Sequence, residues 1–175
     1  GSSSFITVPY SPDFDLLSFT ISVYFSRSDN LSRLQDWFIL SKQSDIYWGN
    51  NFSIRMWYWK DIANWIIDWL FYSWTTWYTI QTNIPILDTN YHHLVFTFGS
   101  WIWNIYIDWK LINSSVTWLI PLFWNYPLFI WQDSQSYDNN RRFKWIIDEI
   151  EIYNHVLTAA EIKNRYLYFN GFYNV

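Results

Sequence analysis

Residues Tyr91–Lys110, YHHLVFTFGSWIWNIYIDWK, decide the fold. Leu94–Phe98 and Ile102–Asp108 have strand character and flank a turn at Gly99-Ser100. A second tight turn falls at Asp108-Trp109, and KLINSSVT (Lys110–Thr117) reads as the next strand. Together they make a strand meander near the middle of the chain. A two-residue hairpin of the favoured twist needs positive φ, which Asp-Gly supplies. This turn carries Trp109 instead, and a bulky residue at positive φ is an outlier.

The composition narrows what surrounds the meander. A chain of 175 residues with 51% hydrophobic and 15% charged residues can bury the core of one folded domain. A net charge of −4 argues against a nucleic-acid partner, which calls for a basic face. With no cysteine there are no disulfides and no thiolate metal sites. No apolar run reaches the roughly 18–20 residues that span a bilayer, so no direct membrane insertion is expected. Residues 1–4 (GSSS) read as a linker or expression scar, and residues 5–175 as the domain. There are 15 Trp but only 4 Gly, at positions 1, 49, 99 and 171, although a β domain normally places glycine at its turns.

Outward from the meander, further strands appear. Ser18–Ser26 (SFTISVYFS) puts Phe19, Ile21, Val23 and Phe25 on one face, and Ser18, Thr20, Ser22 and Ser26 on the other. Ser4–Pro9, Trp37–Lys42, Phe52–Tyr58, Pro127–Trp131 and Phe143–Tyr153 also read as strands, with two more near Ile66–Tyr72 and Tyr78–Thr82. One helix is expected. Thr158-Ala159-Ala160-Glu161 is a capping box, and Ile162, Tyr166 and Phe169 continue a helical stripe to about Tyr168. Many short strands with one terminal helix predict an all-β, two-sheet antiparallel jelly-roll sandwich.

Several segments resemble one family, in order: FTISVYF, ILSK, FSIRM, YHHLVFTF, NIYIDWKLINSS, PLFIW and FKWIIDEIEIYNHVLTAAEIKNRY. The resemblance is to the laminin G-like jelly roll of the concanavalin A-like lectin/glucanase superfamily. It spans roughly Phe5–Tyr166 and is most specific over Phe143–Tyr166. It implies a non-catalytic binding or adhesion module on a secreted or surface protein, with a glycan or a cell-surface protein as partner. Where the family has glycine, this chain has Trp109, Trp131 and Trp145. The expectation is that a stop-type codon, read as glycine in the native genetic code, has been translated as tryptophan. A chain that is simply Trp-rich is the alternative.

The loop Gln132–Arg142 (QDSQSYDNNRR) is the expected recognition site. Asp133, Tyr137, Asp138, Asn139, Asn140 and Arg141 are residue types that meet sugar hydroxyls and ring faces. Along the last strand, alternation groups Asp148 with Ile146, Ile150 and Ile152, and a carboxylate so placed needs a partner. The resemblance implies a structural Ca²⁺ there, held by Asp148, with Asp13, Asp15 and Asp45 as the further candidates. A backbone or arginine partner is the alternative. Glu149 and Glu151 share the opposite face roughly 7 Å apart, near the spacing of an inverting glycosidase, but a solvated face is the simpler reading. His92 and His93 point to opposite faces of their strand and so are structural. The expected function is therefore a non-enzymatic extracellular module. The rivals are a structural domain of a surface appendage or pilin-like protein and, less favoured, a glycoside hydrolase.

Overall fold

The strand that the alternation of Phe19–Ser26 predicts lies at the heart of one of two antiparallel sheets. The computed structural model describes residues 6–26, 37–43, 50–59, 62–73, 76–118, 125–130 and 146–173. Among the described residues, eleven strands and one α-helix run in the order β1 (Ile6–Val8), β2 (Phe19–Ser26), β3 (Trp37–Gln43), β4 (Asn50–Trp59), β5 (Ile62–Ser73), β6 (Thr76–Gln81), β7 (Tyr91–Gly99), β8 (Ile102–Ile107), β9 (Lys110–Val116), β10 (Leu128–Ile130), β11 (Ile146–Tyr153) and α1 (Ala159–Tyr173). The six-stranded sheet has the order β1-β10-β3-β4-β5-β6, and the five-stranded sheet β11-β2-β7-β8-β9. This is the jelly-roll sandwich the sequence predicts. The chain forms two compact units, one around each sheet.

In the unit of the six-stranded sheet, Leu40, Ile54, Met56, Ile67, Trp69, Phe71 and Ile80 are buried. Lys42 is buried with them, and its ammonium is held by Asp15 Oδ1 at 2.7 Å. Asp15 Oδ2 also accepts the Tyr10 hydroxyl at 2.8 Å, and the Tyr10 ring centroid lies 5.2 Å from the Lys42 Nζ. The charge is thus buried only with a partner. Arg55 on β4 and Asp68 on β5 sit opposite one another and pair through two guanidinium nitrogens, at 2.9 and 3.1 Å.

In the other unit every residue of β2 is buried. Phe19, Ile21, Val23 and Phe25 share one face with Leu94, Phe96 and Phe98 of β7. On the other face lie Thr20, Ser22 and Tyr24, together with His93, Val95 and Thr97. Helix α1 covers this second face. Its Ile162, with Leu157, packs on Val95 and Tyr106. The capping box forms as expected. The Thr158 N–H donates to Glu161 Oε2 at 2.7 Å, and the Glu161 N–H donates to Thr158 Oγ1 at 3.3 Å. The Thr158 hydroxyl also donates to Glu161 Oε2 at 2.8 Å, and the Thr158 N–H, foremost, and this hydroxyl lower the Glu161 pKa. The helix runs on past Tyr168 to Tyr173.

The meander closes as β7-β8-β9, with one shift from expectation. Gly99 ends β7 opposite Ile102, so the first turn is centred on Ser100-Trp101 and not on Gly99-Ser100. Gly99 is needed for a different reason: a Cβ there would meet Val156 Cγ2 at 2.5 Å. The second turn is Asp108-Trp109, between the paired Ile107 and Lys110. Both turns have positive φ at both central residues, 51° and 65° in the first and 49° and 65° in the second. That is the type I′ geometry of two-residue hairpins, whose second position favours glycine.

Trp101 and Trp109 therefore stand where glycine is unstrained. A left-handed conformation costs a non-glycine residue about 1–2 kcal/mol. Trp109 recovers part of that by packing against the Val95, Tyr106, Leu157 and Ile162 cluster, with Lys163 Nζ 4.6 Å from its ring. Trp101 is 39% exposed and touches the still more exposed Trp118. Trp101→Gly is therefore expected to raise the unfolding free energy by about 1 kcal/mol, net of glycine's greater freedom in the unfolded chain. Trp109→Gly is expected to gain less. Urea titration of the two variants beside the parent measures both, and a loss of stability in Trp101→Gly would contradict the glycine-site reading.

Candidate functional site

Strand β11 and helix α1 bring together acidic, basic, amide and aromatic side chains. The strand supplies its side chains through a bulge. Asp148 pairs with Tyr24 and Glu151 with Ser22, so the register shifts between them. Glu149 takes φ 49° at this point, and its N–H donates to Asp148 Oδ1 at 2.9 Å. The bulge overturns the simple alternation expected for IIDEIEIY. Asp148 is exposed and shares the helix-covered face with Glu151 and Tyr153, and it is not grouped with Ile150 and Ile152.

Glu151 meets the helix directly: its Oε2 accepts a hydrogen bond from Arg165 Nη1. Arg165 also lies over the Tyr153 ring, with Cζ 4.7 Å from the centroid. Burial raises the Tyr153 pKa, and the Glu151 carboxylate adds to the rise, so this hydroxyl stays protonated. From Arg165, the i+3 and i+4 positions are Tyr168 and Phe169, which the helix turns to the same side. Their rings meet edge-on at 5.0 Å. Glu151, Asn164, Arg165, Tyr168 and Phe169 line an open groove of about 410 Å³. Of these only Glu151 belongs to the carboxylates weighed in the sequence. Arg165 lies 14 residues further on, and only the helical spacing 165, 168 and 169 hints at the rest.

The adjacent histidines hold this unit together from opposite sides of β7. His92 Nδ1 bonds Asp108 Oδ2 at 2.8 Å, and its Nε2 bonds Asp88 Oδ1 at 2.9 Å. Two carboxylates at the two nitrogens call for a ring that donates twice, an imidazolium. Burial acts to lower its pKa, but the bonds and charges of Asp108 and Asp88 outweigh it and the pKa is raised. His93 is fully buried under α1. Its Nε2 shares a 2.8 Å bond with Ser22 Oγ, and its Nδ1 has no partner among the described residues. It stacks on Tyr24 at 4.4 Å, with Tyr166 of α1 at 6.5 Å. Burial, aided by the Arg165 charge and opposed by Asp108, takes its pKa from 6.5 down to about 4.

The other residues singled out in the sequence lie elsewhere. Asp133, Tyr137, Asp138, Asn139, Asn140, Arg141 and Asp45 fall outside the described residues. Asp13 belongs to a short 3-10 turn, where Oδ2 accepts the Ser11 hydroxyl at 2.8 Å, and it lies in a different unit from Asp148. Asp15 faces the Lys42 ammonium, which would oppose a cation. Among the described residues no group of three or more histidines and carboxylates is placed to hold a metal, and Ca²⁺ takes six to eight oxygens.

The sequence pattern of the concanavalin A-like lectin/glucanases superfamily, in its laminin G form, matches residues 1–163. No curated relative matches the chain. Among solved structures, the receptor binding domain of the botulinum neurotoxin C/D mosaic serotype is similar, with a TM-score of 0.70 and 14% identity over 93% of this chain. This chain spans about 40% of that one. Domain 4 of AbnA, a GH43 extracellular arabinanase from Geobacillus stearothermophilus solved with arabinotriose, has a TM-score of 0.66 at 18% identity. That match covers 91% of this chain and 71% of the other. The SAP-like pentraxin of Limulus polyphemus, a heptamer, gives 0.58 at 11% identity, covering 91% of this chain and 79% of its own. At these identities the likeness is one of fold.

The histidines titrate in opposite senses. His93 has a folded pKa below its unfolded one, so it costs nothing above pH 6.5 and destabilises as pH falls from 6.5 towards 4. The full loss is about 3 kcal/mol. His92 has a raised pKa, so its contribution is complete below the unfolded value and is lost as pH rises through the folded one. Denaturant titrations between pH 4 and 8 are expected to show a shallower acid limb in His93→Gln than in the parent. An unchanged limb would mean that His93 is not the buried neutral ring described.

Proposed function

Because this chain belongs to the concanavalin A-like lectin/glucanases superfamily, we propose that it is a non-catalytic binding module acting outside the cell, with a glycan or a surface protein as its partner. The observation that carries this reading is the composition of the groove between β11 and α1. It offers acceptors, donors and aromatic faces, which suit recognition, but among the described residues that line it Glu151 is the single carboxylate and it is already bonded to Arg165. Glycoside hydrolysis normally needs two carboxyl groups on either side of the scissile bond, one to give a proton and one to activate water or attack. Glu149, the other member of the sequence pair, is not among the groove's residues and sits at the bulge.

The similar folds support a recognition role in coarse terms. One is named a receptor binding domain, and another was solved as a domain of an arabinanase with an arabinose oligosaccharide. No helix among the described residues is long and apolar enough to cross a membrane.

A glycan array probed with the intact chain, followed by incubation of any bound oligosaccharide with the same protein, tests this reading. Saturable binding without release of new reducing ends is expected. Steady hydrolysis would overturn the non-catalytic assignment. An empty array combined with capture of a defined cell-surface protein would move the partner from glycan to protein.

A further inference from the structure

We propose that the β11–α1 groove is a subsite for an uncharged sugar unit, with the Tyr168 ring as stacking platform and the Glu151–Arg165 pair and Asn164 as its hydrogen-bonding edge. The inference rests on the binding-module reading above and gives that module a place and a ligand class.

The argument starts from Tyr168. A tyrosine ring carries a large apolar face, yet this one is 64% exposed on the helix. It is held at a right angle to Phe169, 84° between planes, and Phe169 in turn packs on Tyr24 of β2 at 5.1 Å. The exposed ring thus leans on a half-buried one that is itself packed on the sheet, so an incoming flat apolar face meets a surface that is already oriented. The C–H face of a pyranose or furanose ring is such a surface, and preorganisation of this kind lowers the cost of binding.

Beside the ring, Glu151 and Arg165 are each about a third exposed, at 30% and 31%. Their mutual bond engages one carboxylate oxygen and one guanidinium nitrogen. A carboxylate has about four acceptor positions and a guanidinium five N–H donors, so the pair can meet further groups. Neighbouring sugar hydroxyls both donate and accept, which matches an acceptor next to a donor. Asn164, exposed one residue before Arg165, adds an amide with both capabilities.

The charge of the lining selects the class. Glu151 and Arg165 cancel, and Asn164, Tyr168 and Phe169 are uncharged. An anionic sugar would gain from Arg165 but meet Glu151, and a cationic ligand the reverse. The volume of about 410 Å³ lies within the usual range for small-molecule sites, and the groove is open at its mouth, as a subsite for part of a longer chain requires.

The test uses the intact chain and a panel of neutral trisaccharides (xylo-, manno-, gluco- and arabino-oligosaccharides) beside sialyllactose. Binding is read by calorimetry and by shifts of the Asn164 side-chain amide in ¹H–¹⁵N spectra. Tyr168→Ala is expected to weaken binding of the preferred neutral sugar at least tenfold, and Asn164→Ala several-fold. Leu167→Ala, at an exposed neighbour outside the groove's lining, is expected to leave it unchanged. All three positions are exposed, and circular dichroism confirms that each variant is folded. Glycan binding that survives Tyr168→Ala overturns the groove assignment and leaves the binding-module reading intact. Preference for sialyllactose overturns the uncharged class. A chain that binds no sugar of the panel overturns the subsite, and with an empty array the glycan reading falls with it.

Discussion

The constraint from which the second unit follows is that β2 is buried on both faces while only one of its faces is apolar. Phe19, Ile21, Val23 and Phe25 need no partner beyond other apolar groups. Thr20, Ser22, Tyr24 and Ser26 are also buried, and a buried polar group without a hydrogen bond costs on the order of 1–3 kcal/mol. Each finds its bond in a different element. The Thr20 hydroxyl donates to the His155 carbonyl and accepts the Leu157 N–H, which fixes the entry to α1. The Tyr24 hydroxyl donates to the Arg165 carbonyl, Ser22 bonds His93, and Ser26 donates to the Thr89 carbonyl. The helix is therefore positioned by polar and aromatic contacts as much as by Ile162 and Leu157. The groove exists because Arg165 and Phe169 are held in this way over the sheet.

Much of this was legible in the sequence. The alternation of FTISVYFS and the meander around Tyr91–Lys110 specify the sheet, and the capping box at Thr158 marks the helix start to within a residue. The opposite placement of His92 and His93 follows from the period of a strand alone. What alternation could not show is the burial of the polar face of β2. A Ser/Thr face reads as solvated until an element is known to cover it. The bulge was hidden for a related reason. DEIE alternates regularly, and nothing in those letters announces that Glu149 adopts a left-handed conformation and brings Asp148 onto the face of Glu151. The groove was out of reach because it joins a strand residue to four helical residues 13–18 positions away. Which helix face turns towards β11 depends on the Tyr24 and Thr20 bonds, which are tertiary.

The tryptophans divide along physical lines. Trp103 stacks on Phe98 at 4.2 Å and Trp69 on Phe52 at 5.1 Å, both fully buried. Those rings pack as core residues do. Trp101 and Trp109 hold a backbone shape that glycine takes freely. The strands on either side specify their register well enough to impose that shape on a bulky residue. Turn chemistry here follows strand pairing and does not direct it, the reverse of the usual emphasis on Asn-Gly and Asp-Gly as the source of hairpin register.

The two neighbouring imidazoles of β7 also act as a proofreading device for strand alignment. A slip of one residue in a sheet exchanges its two faces. Here a slip leaves one imidazole in the other's place, where it can gain or lose a proton, and puts either Tyr91 between the two aspartates or Leu94 beside the Ser22 hydroxyl. Either way one set of hydrogen-bonding groups loses its imidazole, which repacking apolar side chains cannot restore. The His-His dipeptide therefore narrows the alignment of the central strand even though Val95 and Thr97 on one face and Leu94, Phe96 and Phe98 on the other could each tolerate burial.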